Sequence, residues 1–274
     1  MPQINRNIKR VVLYFILYFL IALYATPLVV YLLAFLVTNY LLGYEMTLEA
    51  IMDSSLFSDI GTVLGNVLVI LIFARKGYTH LFSSGNPLKS FAEHKSVFLW
   101  AVLLELAAII PINSFVAYLN LSDYNMALAS SETVTFLGIL AVCVLAPVAE
   151  EIIMRGGIEE NLLQWKKNPA IAILVSSLLF AVLHLSSSLI IGTFFLGLIS
   201  GWVYYRTRNV MVCIFMHMSN NIISCLSDWL LPDSISLTDD IYVKILVFVC
   251  VAIAVIAILK FNESTRMLRS DRIA

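Results

Sequence analysis

Charged residues are scarce in this 274-residue sequence: only 13% of its positions are Asp, Glu, Lys or Arg, against roughly a quarter in soluble domains. Basic and acidic residues nearly balance, 17 against 18. The basic surface of a nucleic-acid-binding protein is therefore missing, and we expect no nucleic-acid partner. Hydrophobic residues make up 61% of the chain, and the mean hydropathy is +0.93. This composition excludes soluble and disordered classes and predicts a polytopic membrane protein in a lipid bilayer.

Some chemical signatures are also missing. The sequence contains neither the H-E-x-x-H pair of zincin metalloproteases nor a G-x-S-x-G serine motif. Its four cysteines, Cys143, Cys213, Cys225 and Cys250, all fall in apolar stretches and form no C-x-x-C pair. We therefore expect no disulfide framework and interpret the cysteines as small packing residues.

The apolar stretches predict an all-α fold, a polytopic helical bundle with about eight transmembrane helices, because one span needs about 20 apolar residues. We expect residues 1–274 to form a single membrane-embedded domain. The predicted spans are Val11–Val37, which Pro27 can kink, and then Leu56–Phe73, Val97–Leu119, Thr133–Gly157, Pro169–Ser187, Leu189–Tyr205, Val210–Leu231 and Ile241–Leu259. The short connection Ser186–Ser188 predicts that the fifth and sixth helices are antiparallel neighbours. Gly197 and Gly201 favour close packing of the sixth helix within the bundle.

Basic residues alternate with acidic ones along the predicted loops, and Lys244 alone breaks the pattern. The basic set is Arg6, Lys9, Arg10, Arg75, Lys76, Lys89, Lys95, Lys166, Lys167, Arg206, Arg208, Lys260, Arg266, Arg269 and Arg272. By the positive-inside rule both termini are predicted to be cytoplasmic, with an even number of spans between them. The compact size favours a prokaryotic plasma membrane.

The fourth span contains three ionisable residues, each of which costs about 2.5–3.5 kcal/mol in a membrane and so needs a reason. Glu151 and Arg155 are four residues apart, lie on one helix face and can form an ion pair. Glu150 points about 100° away from Glu151, so its carboxylate stays available for chemistry. Pro147 lacks a backbone donor and can bend the helix just before the pair.

Two later spans each bring a histidine with a neighbour one turn away: Phe180 with His184, and His217 with Asn221. Singly, each is typical of packing or of an interhelical hydrogen bond. Together with the glutamates they are polar groups that normally face a bundle interior or a water-filled cavity. A carboxylate and an imidazole can activate water, and His and Asn donors can stabilise an oxyanion. The same set can instead bind a divalent metal such as zinc. Both routes end in hydrolysis.

The three motifs E-E-x-x-x-R, F-x-x-x-H and H-x-x-x-N, in this order within core helices at 133–231, resemble the CPBP family. This family comprises CAAX-processing intramembrane proteases and bacteriocin-processing or immunity proteins, also called Abi. The resemblance implies an intramembrane endopeptidase that cuts a membrane-associated peptide or protein, lipidated or unmodified, near the cytoplasmic face.

The resemblance also implies a role for each motif residue. The attacking water would be activated by Glu150 and His184, the oxyanion would be held by His217 and Asn221, and the site would be supported by Glu151, Arg155 and Phe180. Family members are described both as metalloproteases and as metal-free glutamate proteases. If a metal binds, its candidate ligands are Glu150, His184 and His217.

Two other functions stay open on the sequence alone. One is a bacteriocin self-immunity or binding protein without catalysis. The other is a transporter with a proton relay, which the lack of a repeated half disfavours. Glu105, in the third span near Pro111, has no partner that the sequence can name.

Glu150, His184 and His217 can share one site only if they lie at a similar depth in the membrane. On ideal helices Glu150 and His217 lie about 10–12 Å from the cytoplasmic ends of their spans, whereas His184 lies about 22 Å from its own end. We therefore expect the fifth helix to be offset or the fourth to be bent, with a cavity that opens toward the cytoplasm.

Overall fold

The computed structural model describes residues 2–76, 91–121, 135–166, 168–184, 186–230 and 241–270. Within these ranges the chain is helical and contains no strand, which confirms the all-α helical bundle. The helices are α1 (2–41), α2 (Leu48–Met52), α3 (Ser55–Lys76), α4 (Lys95–Tyr118), α5 (Phe136–Lys166), α6 (Pro169–Val182), α7 (Ser187–Thr207), α8 (Val210–Leu230) and α9 (Ile241–Ser270). The predicted span ends Thr133 and Leu231, and the loop residues Lys89, Lys167 and Arg272, lie outside the described residues.

Seven helices in the described part of the chain are long and apolar enough to cross a membrane: α1, α3, α4, α5, α7, α8 and α9. The helix in the place of the predicted fifth span, α6, has only 14 residues, which corresponds to about 21 Å against a hydrocarbon thickness of roughly 30 Å. It ends because the N–H groups of Leu183 and His184 donate three residues back, to Phe180 and Ala181. The predicted end at Ser187 was therefore too late, and His184 lies in a tight turn rather than within the helix.

The helix α5 is longer than predicted, because the Gly156–Gly157 pair does not terminate it. Both glycines are buried, and the helix continues to Lys166. Asn161 Nδ2 donates to the carbonyl of Gly157 at 2.7 Å, and a Cβ added at Gly157 would lie 2.9 Å from Tyr14 Cδ2. Gly157 therefore permits close contact between α5 and α1, and it does not end the helix.

Two prolines follow π-helical turns. Pro27 comes after the π-helical segment Phe19–Ala25 of α1, and Pro147 comes after Ala141–Leu145 of α5. Proline has no N–H to donate to the carbonyl four residues earlier, so a locally widened helix accommodates it. The bend expected near Pro147 stays a prediction, and a π-helical turn, Ala141–Leu145, lies just before this proline.

The antiparallel contact between α6 and α7 depends on two small residues of α7. A Cβ added at Gly197 would lie 3.1 Å from Ser177 Cβ, and one at Gly201 would lie 3.1 Å from Ile173 Cγ2. The residue numbers run in opposite directions along the two helices, which confirms antiparallel neighbours. Gly197 and Gly201 therefore act in packing within the bundle, as predicted.

We expect Gly197→Leu to destabilise the fold, since the new side chain would collide with the backbone of α6 at Ser177. Overpacking of this kind costs about 1–3 kcal/mol. Gly192→Leu, on the same helix, is the matched control because a Cβ there meets nothing within 4 Å. Thermal unfolding of the detergent-solubilised variants should show a lower Tm for Gly197→Leu alone. Equal Tm values would contradict close α6–α7 packing.

Candidate active site

A cavity of about 230 Å³ lies among α4, α5, α7, α8 and the end of α6. All seven residues contributed by the three motifs line it: Glu150, Glu151, Arg155, Phe180, His184, His217 and Asn221. The other lining residues are Glu105, Val142, Ala146, Thr193, Leu196, Ser200 and Asn220. The structure thus brings the motif residues into one space, even though straight spans would place His184 at another depth.

Glu151 is almost fully buried, and protein groups satisfy its carboxylate. Ser200 Oγ donates to Oε2 at 3.2 Å, and Arg155 Nε lies 3.3 Å from the same oxygen. His217 Nδ1 donates to Oε1 at 3.2 Å. A carboxylate with this many partners is poorly suited to take a proton from water. Its effect is to fix the orientation of His217.

Glu150 differs from its neighbour in having one oxygen without a close partner. The hydroxyl of Tyr18 donates to Oε1 at 2.9 Å, whereas Oε2 lies 3.8 Å from His217 Nε2, beyond hydrogen-bonding distance. The Glu150 side chain is also 15% exposed, against 1% for Glu151. The two adjacent glutamates therefore have separate partners, and Glu150 offers its second oxygen to the cavity.

Arg155 has no solvent exposure and lies between two acidic side chains. Its Nε lies 3.3 Å from Glu151 Oε2 and 3.9 Å from Glu159 Oε2. The same nitrogen donates to Ser200 Oγ at 3.3 Å, and Nη2 donates to the carbonyl of Gly197 at 3.4 Å. The guanidinium also lies 5.2 Å from the ring centroid of Phe180, within cation–π range. Arg155 thus connects α5 to α6 and α7.

The ring of Phe180 contacts both imidazoles. Its centroid lies 5.1 Å from that of His184 and 5.7 Å from that of His217, both in edge-to-face geometry. His184 Nδ1 donates to the carbonyl of Phe180 at 3.2 Å. A carbonyl oxygen only accepts, so this contact places the proton on Nδ1 and leaves Nε2 as an acceptor.

Asn221 contributes an amide at the edge of the cavity. One N–H of its Nδ2 donates to the carbonyl of Val142 at 2.8 Å, and its Oδ1 accepts from Asn220 Nδ2 at 3.1 Å. These two contacts fix the amide plane and its orientation. The second N–H of Nδ2 remains as a donor.

The comparison with known families identifies the part of the chain that contains this cavity's motifs. Residues 132–223, about a third of the chain, match the family model described as type II CAAX prenyl endopeptidase Rce1-like. We call these matched residues the Rce1-like segment. The match confirms the resemblance to the CPBP family and supports a CAAX-type intramembrane protease, hence a peptide hydrolase and a multi-pass membrane protein. No curated protein and no solved structure matches the chain.

Two residues that line or contact the site come from outside the Rce1-like segment. Tyr18, on α1, donates to Glu150. Glu105, on α4, lines the cavity and is buried, and its Oε2 has no hydrogen-bond partner among the described residues. Glu105 stood out in the sequence as an ionisable group within a span. Tyr18 did not, because nothing local in α1 indicates a partner on α5.

Within the Rce1-like segment, Glu159 and Ser200 were also missed in the sequence analysis. Glu159 is fully buried, and its Oε2 accepts from Ser176 Oγ at 3.1 Å. It follows Arg155 by four residues, so the spacing E-x-x-x-R-x-x-x-E was a visible signal for a second ion-pair partner. Ser200 had no such signal, since a lone serine beside Gly201 is typical of helix packing.

The described residues do not form a metal-binding cluster. They contain no group of three or more His, Cys, Asp or Glu side chains arranged to hold a metal ion. The candidate ligands His184 and Glu150 each use one polar atom on a protein partner, the Phe180 carbonyl and the Tyr18 hydroxyl, and keep His184 Nε2 and Glu150 Oε2 free. A divalent metal held by Glu150, His184 and His217 therefore stays a prediction from the sequence.

We expect Arg155→Met to destabilise the protein strongly, because it leaves Glu151 and Glu159 buried without their cation. Breaking a buried pair in this way costs about 3–5 kcal/mol. Arg208→Met is the control, since Arg208 Nη1 also pairs with a glutamate, Glu160, at 2.6 Å but the Arg208 side chain is 38% exposed, and exposed pairs are worth about 0–1 kcal/mol. Thermal unfolding should separate the two variants clearly. Similar Tm values would contradict a stabilising role for Arg155.

Proposed function

We propose that this chain is an intramembrane endopeptidase that hydrolyses a peptide bond of a membrane-associated peptide or protein. A water activated by Glu150 and His184 would attack the carbonyl carbon, and His217 and Asn221 would stabilise the oxyanion. The observation that supports this most directly is the free acceptor on each activating residue. Glu150 Oε2 and His184 Nε2 belong to side chains that line the same cavity, and neither atom has a protein partner within hydrogen-bonding distance among the described residues.

The activation step follows from these two acceptors. A water between them would donate one hydrogen to Glu150 Oε2 and the other to His184 Nε2, which orients its lone pair toward the substrate. As the new C–O bond forms, Glu150 takes the proton. When the C–N bond then breaks, Glu150 returns this proton to the departing amine.

The oxyanion has two donors on α8. Asn221 offers its second amide N–H, because the first is bonded to Val142. His217 can donate from Nε2 when its ring holds a proton on both nitrogens, and the Glu151 carboxylate at Nδ1 stabilises that charged ring. Donors fixed in this way need little rearrangement when charge develops in the transition state.

The substrate class is proposed from the cavity and from the family's description. Carboxylates and imidazoles share the cavity with the apolar side chains of Val142, Ala146 and Leu196, which suits a peptide with an apolar residue near the cut bond. The family description names a prenyl endopeptidase, so lipidated peptides are the first substrates to test, beside unmodified ones.

We expect Glu150→Gln and His184→Ala to lower peptide cleavage by roughly 10²–10⁴-fold, the contribution typical of acid–base groups, and Asn221→Ala by roughly 10²–10³-fold. The assay uses purified detergent-solubilised protein with prenylated and unmodified peptides. Each reaction is run with and without a chelator, and loss of activity with the chelator would favour a metal-assisted route.

Two controls make this assay decisive. Ser219→Ala changes a polar residue of α8 whose hydroxyl bonds only to the carbonyl of Phe215, and it should keep full activity. A bacteriocin-immunity or binding protein without catalysis would tolerate Glu150→Gln. Cleavage that persists undiminished in Glu150→Gln would therefore overturn the proposed mechanism.

We further propose that both termini face the cytoplasm of a prokaryotic cell. With seven long helices, this orientation requires α6 and the turn after it to complete an additional crossing. Fusing a fluorescent protein that folds only in the cytoplasm to either terminus should give fluorescence in both cases. Fluorescence from one terminus alone would show that α6 does not take the chain across the bilayer.

A further inference from the structure

The phenol of Tyr18 makes a direct contact with the glutamate that we propose as the base. Tyr18 is 2% exposed, and its Oη donates to Glu150 Oε1 at 2.9 Å. The two residues are 132 positions apart in the sequence, and Tyr18 lies outside the Rce1-like segment 132–223. One oxygen of the proposed base is therefore held by a helix that contributes none of the three motifs.

The packing of α1 on α5 explains how Tyr18 reaches this position. Tyr14 and Tyr18 are four residues apart and share a face of α1. The ring of Tyr14 fits against Gly157, where an added Cβ would lie only 2.9 Å from Tyr14 Cδ2. The two helices run antiparallel. Tyr18, one turn after Tyr14 on α1, therefore contacts Glu150, which lies about two turns before Gly157 on α5. The missing side chain at Gly157 thus permits the close approach that the hydrogen bond requires.

The hydrogen bond from Tyr18 gives the two oxygens of the Glu150 carboxylate different environments. Oε1 accepts from Tyr18, while Oε2 lies 3.8 Å from His217 Nε2 and stays free for water. Without the phenol, the carboxylate could rotate about its last torsion and turn Oε2 away from the attacking water. Misplacing a reacting group by about 1 Å can cost roughly 100-fold in rate.

We propose that Tyr18 is a positioning residue for Glu150: it fixes Oε1 so that Oε2 points at the attacking water. This inference rests on the proposed function, in which Glu150 is the base. It implies that the Rce1-like segment forms a complete active site only together with α1. Tyr18 touches no substrate in this role and acts through Glu150 alone.

Tyr18→Phe removes the hydroxyl and keeps the ring. We expect kcat to fall roughly 10-fold or more with KM nearly unchanged, because orientation of the base is lost while the substrate contacts remain. Tyr204→Phe is the matched control. It deletes the same kind of buried bond, from Tyr204 Oη to Glu160 Oε2 at 2.8 Å, in a residue that does not line the cavity, and it should leave kcat unchanged.

The kinetic outcomes separate the inference from the proposed function. If the wild type cleaves peptide and Glu150→Gln does not, a Tyr18→Phe variant with wild-type kcat would overturn the positioning role while the protease assignment stands. An equal loss of kcat in Tyr204→Phe would also overturn it, because the effect would then be one of general packing. A rise in KM with unchanged kcat would show substrate binding instead.

The contact can also be tested without any activity. Thermal unfolding of Tyr18→Phe, Glu150→Ala and the double variant forms a double-mutant cycle. We expect the double variant to lose clearly less in Tm than the sum of the two single variants, because either change already breaks the bond. Additive losses would overturn the inference even if no substrate were cleaved.

Discussion

Arg155 is a guanidinium without solvent exposure in a bundle whose outer faces are apolar. A buried charge costs several kcal/mol unless it is paired and hydrogen-bonded. Helix α5 itself supplies the counter-charges, Glu151 and Glu159, and α7 supplies a hydroxyl and a carbonyl from Ser200 and Gly197. Because Glu151 also bonds to His217, the position of α8 depends on the same ion pair. This one cation therefore links α5, α7 and α8 around the cavity, although its buried Nη1 has no hydrogen-bond partner among the described residues.

Glu151 and Glu150 are adjacent in the sequence, but their carboxylates have different surroundings. A turn of about 100° directs the first carboxylate into the ion-pair network and the second toward the cavity. The protein thereby keeps two carboxylates close together without giving them the same environment. Different environments for neighbouring acidic groups are a common way to assign them different roles.

The parts of this arrangement that the sequence predicted are those encoded locally. Apolar stretches located the helices, and helical spacing paired Glu151 with Arg155 and Phe180 with His184. The predicted ends of α6 and α5 were wrong. Helix α6 ends in a local turn at Leu183 and His184 that the apolar pattern does not reveal, whereas α5 continues past Gly157, where the glycine packs against Tyr14 of α1. The bond from Tyr18 to Glu150 was invisible in the sequence, since it needs the packing angle of α1 on α5.

The polar contacts of the cavity are stronger than they would be in water, because the cavity lies inside a bundle of membrane-spanning helices. Only small fractions of the Glu150 and His217 side chains are exposed, 15% and 13%, and fixed dipoles act more strongly where water is scarce. The proposed hydrolysis consumes water, so it requires a site that water can enter. Thr193, Ser200 and Asn220 add hydroxyl and amide groups to the lining, and such groups can hydrate a space that apolar side chains alone would leave dry. In the proposed hydrolysis the polar lining would hold the water, and the buried ion pair would hold the helices that surround it.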